Sequence, residues 1–200
     1  MLHLASKSPR RRELLARLGV AFTPLDVDIP EQRAAGEPAH AYVCRVASDK
    51  AATGLALLQD AGPGVLVLGS DTEVVLDGEV FGKPADDSAA REMLLRLSGR
   101  THEVVSAVSL LGRDGVARQA VSVSRVSFAP LLPDTVEAYV ASGEPRGKAG
   151  GYAIQGVAEA FVTRLEGSYS GVMGLPLHQT AMLLAEAGLP IPFASARGAA

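Results

Sequence analysis

The apolar positions of the chain change period many times, and each change marks an element. Leu2 to Ala5 is a short apolar run that reads as a buried strand. Ser8 and Pro9 then open a helix, as an N-cap and a first-turn proline. Leu14, Leu15 and Leu18 form its apolar face, and Gly19 stops it. Residues 20–27 read as a second strand, followed by the loop 29–33. From Pro38, the residues Tyr42, Val43, Val46, Ala47, Ala51 and Leu55 recur at helical spacing up to Gly62-Pro63-Gly64. Val65 to Leu68 is continuously apolar and predicts a central strand buried on both faces, with Asp71 just past its C-terminal end. Asp77-Gly78 predicts a hairpin turn within 74–81.

Asp86 and Asp87 start a helix through Leu94 and Leu97 that Gly99 ends. Residues 103–111 and 116–128 alternate as strands around Arg113-Asp114-Gly115. Residues 134–141 read as helix, 147–156 as a glycine-rich loop, 161–165 as strand and 177–187 as a last helix. From Pro190 onward the chain reads as a loose tail, which leaves one domain over 1–189. There is no internal repeat. Interleaved strands and helices predict an α/β fold built on a mixed twisted sheet.

Composition narrows the function. The 200 residues are 48% hydrophobic and 20% charged, with a net charge of −3, which disfavours a general nucleic-acid binder. Cys44 is the only cysteine, so an intrachain disulfide or cysteine-based zinc site is excluded and a reducing compartment is expected. No apolar run reaches the ~20 residues of a membrane span, and the first residues lack a secretory h-region. A cytoplasmic protein is the expectation.

Arginine is concentrated where the backbone repels it. Arg10, Arg11 and Arg12 fill the first turn of a helix, whose end carries partial positive charge. Such a cluster suits an anion shared by guanidinium forks and backbone N–H groups, with Ser6 and Ser8 as further donors. Taken alone, the stretch reads equally well as a solvated basic turn. Asp71, in Gly69-Ser70-Asp71-Thr72, stands where α/β folds place their sites; it can hold a divalent metal, orient water or take a proton, and taken alone it also reads as a loop Asp making an Asx-turn. Lys83, between Gly82 and Pro84, can reach a phosphate, although the P-loop spacing is absent, and taken alone it reads as a plain turn lysine.

The stretch 147–156 carries four glycines around Tyr152 and Gln155, which fits a loop closing on a flat ligand; Gln155 can pair with the edge of a base. Tyr152 can stack there or simply pack. His102 reads as structural, and Gly174-Leu175-Pro176-Leu177 as a packing turn. Together the residues point to a nucleotide, and to its hydrolysis.

Five stretches in this order, SKSPRRRELL, GSDTEVVLDGEVFGKPADD, LSGRTHEVVSAVSLL, KAGGYAIQG and GSYSGVMGLPLHQT, resemble the Maf family of nucleoside triphosphate pyrophosphatases, from Leu4 to about Leu184. The resemblance implies a mixed α/β fold with two lobes around a cleft, similar to the inosine-triphosphate pyrophosphatases. It implies a cytoplasmic homodimer using a divalent metal (Mg²⁺, Mn²⁺ or Co²⁺) to cleave a nucleoside triphosphate into monophosphate and pyrophosphate. On this chain it implies Asp71 as proton acceptor and metal ligand, with Glu31 near the metal. Ser8, Arg11, Lys50 and Lys83 are implied phosphate contacts. Arg10, Thr72 and Gln155 match the branch acting on dTTP and UTP rather than the branch acting on 7-methyl-GTP, with modified pyrimidine nucleotides as further candidates. The alternative is a non-catalytic nucleotide-binding regulator of cell division. Glu73 departs from the family's usual apolar residue; its charge beside Asp71 can favour the protonated form of Asp71 or join the metal site, and its plainer reading is a solvent-facing strand position.

Overall fold

The computed structural model describes residues 1–59, 62–189 and 191–192. Of the tail after 189, only Ile191, which is buried, and Pro192 fall within them. The elements are β1 (Leu2–Ala5), α1 (Pro9–Ala16), β2 (Phe22–Leu25), α2 (Ala39–Ala56), β3 (Leu66–Leu76), β4 (Glu79–Phe81), α3 (Asp87–Leu97) and β5 (Thr101–Gly112). They continue with β6 (Ala117–Phe128), α4 (Pro133–Ala141), β7 (Val162–Glu166), α5 (Tyr169–Met173) and α6 (Leu177–Glu186). Short 3₁₀ turns lie at Ala149–Gly151 and Val157–Phe161.

The strands form one sheet in the order β2-β1-β3-β5-β6-β7, with β4 added to β3. The pairs β1–β2 and β1–β3 are parallel; all the others are antiparallel. This is the mixed α/β architecture the sequence predicts. No helix among the described residues is long and apolar enough to cross a membrane.

β3 organises the molecule, and it corrects one expectation. Asp71 does not follow the central strand; it lies inside it, paired with Ala107 of β5. The apolar run 65–68 marks only the half of β3 that pairs with β1. The strand continues because β5 pairs with it from Leu66 to Val75. On the opposite edge, β1 pairs as far as Gly69 and β4 begins at Val74. Residues 70–73 therefore present an edge that neither strand covers. The hairpin into β4 turns at Asp77 and Gly78, both at positive φ.

Period-two alternation assigns the two faces of β3 different partners. Leu66, Leu68, Val74 and Leu76 join the larger core with Leu14, Leu15, Leu94 and Leu184. Val67 and Val75 face α2, in smaller clusters with Ala5 and Val27 and with Tyr42, Val43 and Val46. α2 sits unusually close to the strand. A Cβ on Gly69 would run into the Ala47 carbonyl and stand 2.7 Å from the Ala51 nitrogen. Small residues at this crossing bring the helix down onto β3 and so deliver Lys50 to Asp71.

Candidate active site

A cleft of about 470 Å³ opens over the uncovered edge of β3. All nine residues singled out from the sequence line it: Ser8, Arg10, Arg11, Glu31, Lys50, Asp71, Thr72, Lys83 and Gln155. They come from six separate parts of the chain, from the start of α1 to the loop after α4.

The start of α1 forms one wall. Ser8 caps the helix, its Oγ accepting from the Arg11 backbone N at 3.4 Å. The three arginines then diverge. Arg12 turns to Asp26 at 3.5 Å, outside the cleft. Arg10 and Arg11 face inward. Arg11 donates from Nε to the Gly174 carbonyl at 2.8 Å and from Nη2 to Thr72 Oγ1 at 3.4 Å. Burial pulls the Arg11 pKa below its ordinary value, against the opposing pull of Asp71 and Glu31.

Asp71 and Lys50 form the floor. Both are buried, at 4% and 8% exposure, and Lys50 Nζ donates to Asp71 Oδ1 at 2.8 Å. The same ammonium lies 2.6 Å from Glu31 Oε1, and Lys83 Nζ reaches Glu31 Oε2 at 2.7 Å. Partial burial raises the Glu31 pKa, but hydrogen bonds from the two lysines outweigh it and hold the carboxyl at about 2. Asp71 Oδ2 is buried with no hydrogen-bond partner. A buried carboxylate oxygen without a donor is poised to accept a proton or bind a cation.

Glu73 corrects a second expectation. It is not solvent-facing but buried, at 8% exposure, and its Oε2 also lacks a partner. Period two carries it to the Asp71 face of β3, over α2. Burial, then the charges of Asp71 and Glu31, push its pKa up to about 8.

Thr72 takes the opposite face, where its Oγ1 lies 2.7 Å from Ser106 Oγ. Ser106 in turn donates to the Gly171 carbonyl at 2.7 Å, and Ser70 to the Gly174 carbonyl at 3.0 Å. The segment read as a packing turn thus reaches the site: the Gly174 carbonyl gathers Arg11, Ser70 and Thr72. Nothing in the sequence pattern marks a backbone carbonyl for that task.

The glycine-rich loop forms the far wall, with Gln155 exposed at its rim. Tyr152 packs rather than stacking on a ligand. It is buried, its hydroxyl lies 2.8 Å from His102 Nε2, and its ring stands edge-on to Phe128 at 4.9 Å. His102 is structural, as its position predicts, and burial lowers its pKa to about 4. Sequence reasoning passed over Lys7, Asp28 and Lys148 as cleft residues. Lys148 was detectable, as a cation between glycines.

Among the described lining residues, Lys7, Arg10, Arg11, Lys50, Lys83 and Lys148 face only Asp28, Glu31 and Asp71. The local excess of positive charge lies within a chain of net charge −3. Such a cleft suits a polyanion. No group of three or more His, Cys, Asp or Glu among the described residues is arranged to hold a metal ion. The orphaned Asp71 oxygen and the neighbouring Glu31 fit a different kind of metal binding. A hard divalent cation is commonly held by one or two carboxylates together with substrate phosphates.

The profile of the family described as Maf-like protein matches residues 1–187, and the chain belongs to that family. A dTTP/UTP pyrophosphatase of Xanthomonas campestris pv. campestris is 58% identical over 188 residues, covering 94% of this chain and 99% of the relative. A nucleoside triphosphate pyrophosphatase of Xylella fastidiosa is 60% identical over 184 residues, covering 92% and 97%. Among solved structures, a HAM1 protein from Coxiella burnetii aligns at a TM-score of 0.47 and 18% identity, over 92% of this chain and 98% of that one. A nucleoside-triphosphatase / dITP/XTP pyrophosphatase from Mycobacterium abscessus aligns at 0.47 and 22% identity, over 65% and 74%.

Proposed function

We propose that this chain is a nucleoside triphosphate pyrophosphatase acting on dTTP and UTP. Water attacks the α-phosphorus, the bond from that phosphorus to the α–β bridging oxygen breaks, and monophosphate and pyrophosphate leave. One observation carries the reading: an unpartnered, buried Asp71 oxygen in a cleft with six cationic side chains, in a chain 58% identical to a dTTP/UTP pyrophosphatase.

In this reading Asp71 takes the proton of the attacking water. Lys50 keeps one oxygen of Asp71 engaged at 2.8 Å and leaves the other free for that proton. Arg11, Lys50, Lys83 and the Ser8 hydroxyl receive the phosphates, where fixed donors offset the charge that develops on the leaving pyrophosphate. Glu31 and Asp71 would hold a divalent cation, which supplies Lewis-acid neutralisation of triphosphate charge when bound. The two lysines that pair with Glu31 are also the ones assigned to phosphate. Substrate would therefore draw Lys83 away from Glu31 and free its Oε2 for the cation. Arg10, Thr72 and Gln155 are assigned to the nucleoside end. The neutral amide of Gln155 offers both the acceptor and the donor that N3–H and a carbonyl of thymine or uracil require.

Pyrophosphate release from dTTP, UTP, CTP, GTP and 7-methyl-GTP, with Mg²⁺, Mn²⁺ or Co²⁺, tests the proposal. Release from dTTP and UTP is expected to dominate, and Asp71→Asn to lower kcat about 10³-fold, the scale of a lost general base. Turnover chiefly of 7-methyl-GTP would overturn the pyrimidine assignment. Tight nucleotide binding without turnover would overturn the enzyme.

A further inference from the structure

The loop that carries Gln155 needs an anchor. Its glycines at 150 and 151 adopt positive φ, and Gln155 itself is exposed. A side chain that is to read a base edge cannot sit on a backbone free to wander by an ångström. What fixes this loop lies outside the cleft lining, in a residue to which the proposed function gives no role.

Glu144 follows α4 by a few residues and precedes the loop. Its Oε1 accepts from the Tyr139 hydroxyl at 2.9 Å and from the Ala158 backbone N at 3.4 Å. Its Oε2 accepts from the Val157 backbone N at 3.1 Å. The two backbone donors open the 3₁₀ turn at the exit of the loop. Its own carbonyl receives Lys148 Nζ, from the entrance of the loop, at 2.5 Å. One residue thus ties both ends of the segment 148–156 together.

Two further contacts extend the anchor. Tyr139 Oη, held by Glu144, accepts from the Ala153 backbone N at 3.3 Å, inside the loop. The Tyr139 ring meets Phe161, at the end of the 3₁₀ turn, edge-on at 5.1 Å. Gly156, next to Gln155, leaves room for the clamp, because a Cβ there would collide with the Glu144 carboxylate. Each element of the arrangement serves one geometry: a closed loop base with Gln155 one residue from its end.

We infer that Glu144 is a positioning residue for base recognition, holding the loop 148–156 so that Gln155 meets the pyrimidine edge. The inference rests on the proposed role of Gln155. Glu144 does not line the cleft, so it acts only through the loop. The groups assigned to the phosphates, at the start of α1, on α2 and at Lys83, lie outside the loop that it holds.

The test compares Glu144→Ala, Glu144→Gln and Gln155→Ala with wild type, measuring kcat and KM for UTP and CTP and inhibition by inorganic triphosphate. In Glu144→Ala, KM for UTP is expected to rise about tenfold, the size of one or two net hydrogen bonds. The preference for UTP over CTP falls by a similar factor, kcat stays within about twofold, and triphosphate inhibits as before. Glu144→Gln keeps one carbonyl acceptor and falls between Glu144→Ala and wild type. Should Glu144→Ala fail to fold, Glu144→Gln carries the test, with about a threefold rise in KM expected.

An unchanged KM in a folded Glu144 variant overturns the inference. So does a parallel loss of kcat, UTP affinity and triphosphate affinity, which marks a purely structural role. If Gln155→Ala loses the base preference while the Glu144 variants keep it, only the role of Glu144 fails. If Gln155→Ala keeps the preference, the base-reading loop itself fails, and the inference with it.

Discussion

Asp71 and Glu73 occupy the same face of one strand, yet their surroundings separate them. Asp71 has Lys50 within hydrogen-bond distance; Glu73 has burial and two carboxylate charges near it and a pKa pushed to about 8. The consequence for stability can be worked out by sign. From about pH 4.5 to about pH 8 the unfolded chain has released the Glu73 proton while the folded chain retains it. Stability from this group therefore falls as pH rises through that window. Glu73→Gln removes the dependence, so in metal-free protein its melting temperature should gain on wild type between pH 5 and pH 8. A difference that stays flat across that range would contradict the buried, uncompensated carboxylate. Glu31 has the opposite sign: its pKa is held at about 2, so its contribution is present above about pH 4.5 and lost on acidification.

At the scale of elements, the crossing of α2 over β3 sets the distance between Lys50 and Asp71. Gly69 has no room for a side chain beneath Ala47 and Ala51. Gly69→Ala must lift the helix, and the expected cost is about 1–3 kcal/mol, the range for overpacked cores. Because Lys50 rides on that helix, kcat should fall as well, whereas a substitution that only overpacks a remote core would leave kcat alone. Chemical denaturation and steady-state kinetics on the same preparation separate the two. The Ser8-capped start of α1 is the second such device. Two of its arginines, Arg10 and Arg11, face a cleft rather than the helix end alone, and Arg12 pairs with Asp26, which accounts for cations where the helix dipole opposes them.

At the scale of the molecule, charge is divided rather than uniform. The chain as a whole is at −3, while the described cleft residues place six cations against three carboxylates. A local field of that sign attracts a triphosphate even though the net charge repels it, and salt screens it within a Debye length of about 10 Å at 0.1 M. KM for UTP should therefore rise about threefold or more between low and moderately high ionic strength, with kcat little changed. A KM insensitive to salt would mean that the cations are fully neutralised by their own acidic partners.

The sequence by itself determined most of the elements, though not helix α5, and named residues that line the cleft. Leucine and valine spacing placed the helices and strands because the burial period of a helix differs from that of a strand. The cluster at 8–11, the motif around Asp71 and the loop at 147–156 stood out by their local chemistry, whereas Lys83 alone reads as a plain turn lysine and Glu31 and Lys50 were marked only by the family resemblance. Tertiary structure decided what those residues meet. Pairing with β5, which no local pattern announces, drew β3 past Asp71 and buried Glu73 beneath α2. The Gly174 carbonyl became a hub, and Glu144 a clamp, because backbone groups carry no sequence signature. The physical reason is range. Propensity and periodicity act over a turn or a strand, whereas burial and charge coupling here depend on partners as far as 163 residues away.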